Sequence, residues 1–255
     1  MGEKALCREL LHTAETGSTN DEMKKMLYAA SERLFAVLSA DRQTGGRGRL
    51  GRTFLSPTGG LYFSVSFPLS GTENNIPFLT LAAGLAVAEA LDGFNTTGSR
   101  RIEIKWPNDI YINGKKACGI LTELVTAPFG LAAVVGIGIN IAEITEECPD
   151  TLKNKITSLN GEGIFAGKNT LMTEIVERLD KFVYSQRVLE NVPDRMTEEL
   201  NSRSFLAGRS VAFIDDGKEK TGTVVSIEKD GSLKTRTADG DAYIKFGEVT
   251  VLKQA

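Results

Sequence analysis

The 255-residue sequence predicts an α+β protein: a mixed β-sheet flanked by helices, followed by a small β barrel. Three observations carry this expectation. Apolar residues make up 41% and charged residues 25%, a globular balance, and a chain of this length buries a real core without staples. Segments with helical spacing and segments with strand alternation are interspersed up to about residue 207. Beyond Ala207-Gly208 the texture changes to short strands with tight turns, which divides the chain into residues 1–207 and 208–255.

The elements follow in chain order. Residues 18–33 read as a helix: Ser18 and Thr19 can cap it, and Met23, Met26, Leu27 and Ala30 recur at helical spacing. Leu34 to Ala40 is a short apolar run and reads as a strand. Leu61 to Phe67 alternates and carries aromatics, the mark of another strand. Pro77 to Leu91 has a first-turn proline and a broad apolar face, so it reads as a largely buried helix. Arg101 to Lys105 alternates, with Ile102 and Ile104 on one face. Asn113-Gly114 between apolar runs predicts a hairpin, because a type I′ turn needs positive φ at both positions. Lys115 to Leu124 is the return strand, and Gly130 to Ile141 is a buried strand. Residues 170–186 and 193–202 read as helices. Asp216-Gly217, Asp230-Gly231 and Asp239-Gly240 mark turns of the terminal barrel.

Composition excludes several function classes. The net charge of −3 predicts no chain-wide affinity for polyanions. Cys7, Cys118 and Cys148 are too few and too scattered for a disulfide scaffold or a CxxC metal site. His12 is the single histidine, so His-pair zinc motifs are absent, and its setting between Leu11 and Thr13 reads as structural. Residues 1–4 lead into no apolar stretch, and no run reaches membrane-spanning length. A cytoplasmic protein without membrane partners is expected.

Four motifs can carry chemistry. Gly45 to Arg52 packs four glycines and three arginines into eight residues between two expected strands. Glycine lets backbone amides approach an anion, and arginine supplies planar donors for phosphate or carboxylate, so the loop reads as an anion binder. No Gly-Lys-Ser/Thr ends it, so it is not a P-loop. Lys105-Trp106-Pro107-Asn108-Asp109 ends a strand and holds the only tryptophan. Asn108 and Asp109 fit either a polar turn or a catalytic pair, and the residues leave both readings open. Lys115-Lys116-Ala117-Cys118-Gly119, on its own, reads as a solvated lysine pair on an edge strand. Gly136-Ile137-Gly138-Ile139-Asn140, on its own, reads as packing where a helix crosses a sheet.

Together the four, in this order and spacing, resemble the catalytic module of biotin protein ligases across roughly residues 15–141. Ser18-Thr19-Asn20 at a helix start completes the match. The pair formed by the Gly46-to-Arg52 loop and Lys105-to-Asp109 is the specific part. The tail resembles that family's small SH3-like barrel, and the module its class II synthetase-like fold.

The resemblance implies a ligase that activates biotin with MgATP to biotinyl-5′-AMP, then transfers biotin to a lysine of a biotin carboxyl carrier protein domain. It implies biotin contacts from Ser18, Thr19, Asn20, Gln43, Gly46, Arg47, Lys116 and Gly119. It implies ATP or adenylate contacts from Arg49, Arg52, Phe54, Asn108, Lys116 and Asn140. Lys116, Arg47, Arg49 and Asp109 would be the catalytic set, with Asp109 as base or orienting group. No protein ligand to a metal is implied beyond the Mg²⁺ carried with ATP. Phe54 stands where the family usually has tryptophan; it offers a smaller ring and no indole N–H for stacking. The motif begins too near the chain start for a DNA-binding domain, so no DNA partner is expected. The oligomeric state stays open between monomer and homodimer. The rivals are a lipoate or octanoate ligase, a non-catalytic biotin sensor and an RNA-binding protein. Ser18, Thr19 and Gln43 favour biotin over an acid that needs an apolar tunnel. The retained Lys116 and arginines argue against a sensor, and the mixed charges of residues 208–255 argue against RNA.

Overall fold

The computed structural model describes residues 7–71, 73–143, 148–245 and 247–252. The reading of residues 1–4 lies outside the described residues, as does the side chain of Cys7. A seven-stranded sheet has the order β1-β2-β3-β7-β6-β5-β4. Its strands are β1 (Cys7–Thr16), β2 (Leu34–Gln43), β3 (Leu61–Pro68), β4 (Ile102–Lys105), β5 (Asp109–Ile112), β6 (Lys115–Ala127) and β7 (Gly130–Ile139). β1 and β2 run parallel and the other neighbours antiparallel, so the sheet is mixed, as expected.

Strand alternation sorts the residues into two faces. Phe35, Val37, Phe63, Val65, Phe67, Val135, Ile137 and Ile139 join the main core. The helices on that side are α2 (Phe78–Phe94) and α4 (Lys168–Asp180), with α5 (Asp194–Ser202) behind them. α2 is apolar on nearly every side because it lies between the sheet and α4, and each such buried Leu or Phe stabilises the fold by about 1.5–3 kcal/mol. The opposite face is apolar only beneath α1 (Thr19–Ala29), where Met23 and Leu27 meet Leu34, Ala36, Leu38, Val125 and Val134. Beyond α1 that face is left open, and the site forms there.

The Asn113-Gly114 hairpin is present, with φ of 50° and 82°. Four readings need correction. The first helix stops at Ala29, since the chain must turn early for Leu34 to enter the sheet opposite Cys7. Ser18 occupies the cap position, but its hydroxyl makes no capping bond. The helix expected over 170–186 is regular only to Asp180 and widens into a π turn, Lys181–Ser185, before Arg187 ends it at φ 50°. β6 is an interior strand between β5 and β7, so Lys116 is not an edge lysine.

The C-terminal strands β8 (Ser210–Asp215), β9 (Lys218–Ile227), β10 (Leu233–Thr237), β11 (Gly240–Ile244) and β12 (Val249–Val251) form an antiparallel sheet in the order β11-β10-β9-β8-β12, consistent with a small barrel. Asp216-Gly217 and Asp230-Gly231 fall between its strands, and Asp239-Gly240 leads into β11, whose first residue is Gly240. Its inner residues Val211, Phe213, Val224 and Leu233 merge with the main core.

Candidate active site

A cavity of about 330 Å³ opens on the sheet face that α1 leaves uncovered. Its floor follows from register. Gly119 on β6 pairs with Gly138 on β7, and Leu121 pairs with Gly136. A Cβ on Gly136 would lie 2.2 Å from Asn20 Oδ1, and one on Gly138 would lie 2.5 Å from the Phe54 ring. These glycines therefore admit the N-terminal turn of α1 and the ring of Phe54 against the sheet. The packing reading of this motif holds, and the same residues also line the cavity.

One end of the cavity is a buried polar chain. The Thr19 amide and hydroxyl both donate to Gln43 Oε1, at 2.8 and 3.2 Å. Ser64 Oγ lies 2.8 Å from Thr19 Oγ1 and 2.6 Å from Asn20 Oδ1. Asn20 Nδ2 donates to Glu123 at 2.8 Å, and Gln43 Nε2 donates to Ser56 at 2.9 Å. Ser18 beside them is 4% exposed and lines the cavity, so its hydroxyl remains a donor and acceptor for a ligand.

The Gly-Arg loop is a small folded ribbon over this cavity. The Phe54 amide bonds to the Gly46 carbonyl at 2.9 Å, and the Gly48 amide to Arg52 at 2.7 Å. Leu50 turns the tip at φ 55°. On the α1 side Arg47 pairs with Asp21 at 2.5 Å and Glu123 at 3.1 Å. On the other side Arg49 Nη2 donates to the Gly247 carbonyl at 3.1 Å, and Arg52 pairs with Glu248 at 2.5 Å. Burial lowers the Arg49 guanidinium from its ordinary pKa, against the pull of Glu248 and Asp109. It remains a cation at neutral pH.

The far wall is the β4–β5 turn and the start of β6. Lys116 Nζ meets Asp109 at 2.7 Å and stands 5.8 Å from the Phe54 ring centroid. Asn108 Nδ2 donates to the Ile120 carbonyl at 2.8 Å, which fixes the turn to β6. Asn140 Nδ2 holds the Thr157 carbonyl at 2.9 Å. Residues 155–157 pair with Lys116 and carry Lys155 and Ile156 to the rim, with Leu152 from the short helix α3 (Asp150–Lys153) beside them. Burial raises the Tyr111 hydroxyl on the same wall, helped by the Asp109 charge.

The structure thus gathers Ser18, Thr19, Asn20, Gln43, Arg47, Arg49, Arg52, Phe54, Asn108, Asp109, Lys116, Gly119 and Asn140 around one cavity. Gly46 is the exception: it lines a separate cavity of about 210 Å³ on the other side of the ribbon. Sequence reasoning missed Asp21, Glu123, Leu152, Lys155, Ile156 and Glu248. Glu123 left a signal, a lone carboxylate in an apolar strand. The others are placed by contacts between distant segments. His12 lies elsewhere, on β1, with Nδ1 3.1 Å from Ser39 Oγ and Nε2 3.3 Å from Asp41. Ser39 Oγ also reaches the Leu11 carbonyl at 3.3 Å, so this trio reads as sheet structure.

The arrangement offers polar anchors at one end, a cationic wall at the other and a cover that spans both. That set suits a ligand with a polar head and a carboxylate, joined to a phosphate. The model of the biotin/lipoate A/B protein ligase family matches residues 15–140. The chain is 42% identical over 126 residues to the bifunctional ligase/repressor BirA of Bacillus spizizenii, covering 49% of this chain and 38% of that relative. It is 29% identical over 252 residues to the biotin–[acetyl-CoA-carboxylase] ligase of Mycobacterium tuberculosis, covering 96% of this chain and 90% of the relative. The biotin protein ligase of Aquifex aeolicus, solved in complex with biotin and ATP, superposes with a TM-score of 0.81 at 30% identity. That match covers 96% of this chain and 99% of the other.

Proposed function

Because the chain belongs to the biotin/lipoate A/B protein ligase family, we propose that it is a biotin protein ligase acting in two steps. In the first, a carboxylate oxygen of biotin attacks the α-phosphorus of ATP, pyrophosphate leaves, and biotinyl-5′-AMP remains. In the second, a lysine amine of a biotin carboxyl carrier domain attacks the acyl carbon, AMP leaves, and an amide forms. The observation that carries this reading is the single cavity with Thr19 and Gln43 at one end and Lys116 and Arg49 at the other, under one ribbon.

Each residue then has a task. Ser18, Thr19 and Gln43 hold the ureido ring, and Asn20 fixes Thr19's neighbour Ser64. Gly119 borders the biotin side of the cavity floor and leaves room there for the Phe54 ring and the Lys116 side chain. Lys116 and Arg47 meet the carboxylate and the α-phosphate, where joining two anions costs most. Arg49 and Arg52 retain the adenylate, Phe54 stacks on adenine, and Asn108 and Asn140 border the nucleotide. Asp109 orients or deprotonates the incoming amine; it faces Lys116 now and exchanges that contact as the phosphate arrives. Gly46 acts through the ribbon, whose base it forms.

The wall suits a Mg²⁺ carried by the triphosphate, since among the described residues it offers one carboxylate, Asp109 paired with Lys116, rather than a cage of ligands. Bound there, the ion would offset phosphate charge. In this reading residues 1–207 are the catalytic unit and residues 208–255 a barrel that braces the ribbon. No helix among the described residues is long and apolar enough to cross a membrane, and the proposed setting is the cytoplasm.

The test mixes the purified protein with biotin, MgATP and a carrier domain, then weighs the carrier. An ATP-dependent gain of one biotin supports the proposal. A gain with lipoate alone would move the protein to the sister activity. No gain despite tight biotin binding would make it a sensor.

A further inference from the structure

Glu123 is not among the residues assigned above, yet more side chains converge on its carboxylate than on any group in the cavity wall. It receives Asn20 Nδ2 at 2.8 Å, Lys24 Nζ at 3.0 Å and Arg47 Nη2 at 3.1 Å. It projects from β6, an interior strand paired on both sides, so its position is fixed by the sheet. Arg47 belongs to the ribbon, which is held to the sheet by few backbone bonds.

The partners of Glu123 continue inward without a break. Asn20 accepts from Ser64, Ser64 touches Thr19, and Thr19 donates twice to Gln43. Asn20, Ser64 and Thr19 are each at most 4% exposed, so water cannot replace a lost partner in this chain. A change in the orientation of Thr19 or Asn20 therefore reaches Glu123, and through it Arg47. Gly136 keeps this path tight, since no side chain intervenes between Asn20 and the sheet.

We infer that Glu123 is a positioning residue that couples occupancy of the polar anchor to closure of the Arg47 ribbon. The inference rests on the ligase reading for the identity of the ligand, biotin, but not for the latch itself. With biotin on Thr19 and Gln43, the chain to Asn20 is fixed and Glu123 holds Arg47 in place. By reciprocity, closure of the ribbon tightens biotin by the same factor.

Trypsin reads the latch directly, because it cuts after Arg47, Arg49 and Arg52. In the parent, biotin is expected to slow ribbon cleavage. In Glu123→Gln, which keeps an oxygen for Asn20 but removes the charge, that protection falls by about tenfold, the factor carried by one strong charge-assisted contact. Release of biotinyl-5′-AMP speeds up by a similar factor, and Glu123→Asp restores part of both. Asp21→Asn, on the solvent side of Arg47, probes the same latch and guards against misfolding of the Glu123 variant. Parent-like protection by biotin in a folded Glu123→Gln overturns the inference, whatever Asp21→Asn does. If the parent binds no biotin, the ligase reading fails, and the latch is judged alone from ligand-free cleavage: equal rates in parent and Glu123→Gln overturn it, faster cleavage in the variant supports it.

Discussion

The indole Nε1 of Trp106 donates to the carbonyl of Gly231 at 2.9 Å, joining the Lys105-to-Asp109 motif to the β9–β10 turn of the C-terminal sheet. Trp106 is 3% exposed and belongs to the main core. The same sheet reaches the ribbon through Gly247 and Glu248. It therefore holds the site at two points, one buried and one at the rim.

Trp106→Phe is expected to keep most of the apolar packing but leave the Gly231 carbonyl without its buried donor. The cost is about 1–3 kcal/mol, read as a lower midpoint in urea unfolding. A midpoint equal to the parent's would show that water replaces the indole N–H.

Alanine at Gly136 and at Gly138 should separate the two ends of the cavity. The first collides with Asn20 and the second with Phe54. Each overpacks by about 1–3 kcal/mol. Calorimetric titration should show Gly136→Ala weakening biotin more than ATP, and Gly138→Ala the reverse. Equal losses of both ligands in both variants would argue for a general distortion.

Arg47→Ala and Arg49→Ala should release biotinyl-5′-AMP at least about tenfold faster while the proteins stay folded. The Arg47 pairs are partly exposed, and such pairs stabilise a fold by only about 0.2–1 kcal/mol each. Stopped-flow displacement gives the release rate and thermal unfolding the stability. Parent-like retention in both variants would remove the ribbon from the adenylate site.

Asp230 gives a pH prediction for the turn that receives Trp106. Burial acts to raise its carboxyl, but the Ser232 hydroxyl at 2.6 Å and amide at 3.0 Å, with Lys245 nearby, outweigh it and hold the pKa below its ordinary value. A depressed folded value stabilises above the unfolded pKa of about 3.9, and the gain is lost as pH falls through the folded value. The melting temperature of the parent should exceed that of Asp230→Asn at pH 6, and the gap should close as pH falls below about 4. A gap independent of pH would assign the effect to shape, not charge.

The strands and helices around the site were legible because burial on one face imposes a period. Ile102 and Ile104 on β4, and Met23 and Leu27 on α1, show it directly. β1 was not legible: it pairs with β2 alone, and its residues 9–16 are almost all exposed, so no alternation is imposed on Cys7–Thr16. The motifs single out site residues that all, except Gly46, line one cavity, because those side chains are set by local turns and strand ends. They could not show that Arg47 faces Asp21 and Glu123, or that Arg52 faces Glu248, since those pairings depend on the folded path of distant segments. Nor could they show the 155–157 segment beside Lys116, which is a pairing without a sequence period.

The glycine floor has a consequence for the strand that carries it. On β7 Gly136 and Gly138 face the cavity, while Val135, Ile137 and Ile139 belong to the core, with Ile137 also bordering the cavity. A slip of β7 by one position would drive isoleucines into the void and set glycines in the core. Empty space for the ligand and correct alignment of the central strand are thus one specification. A chain misaligned there could not be stable yet inactive; it would lose both together, so ligand binding by a refolded sample counts the molecules whose central strand is in register.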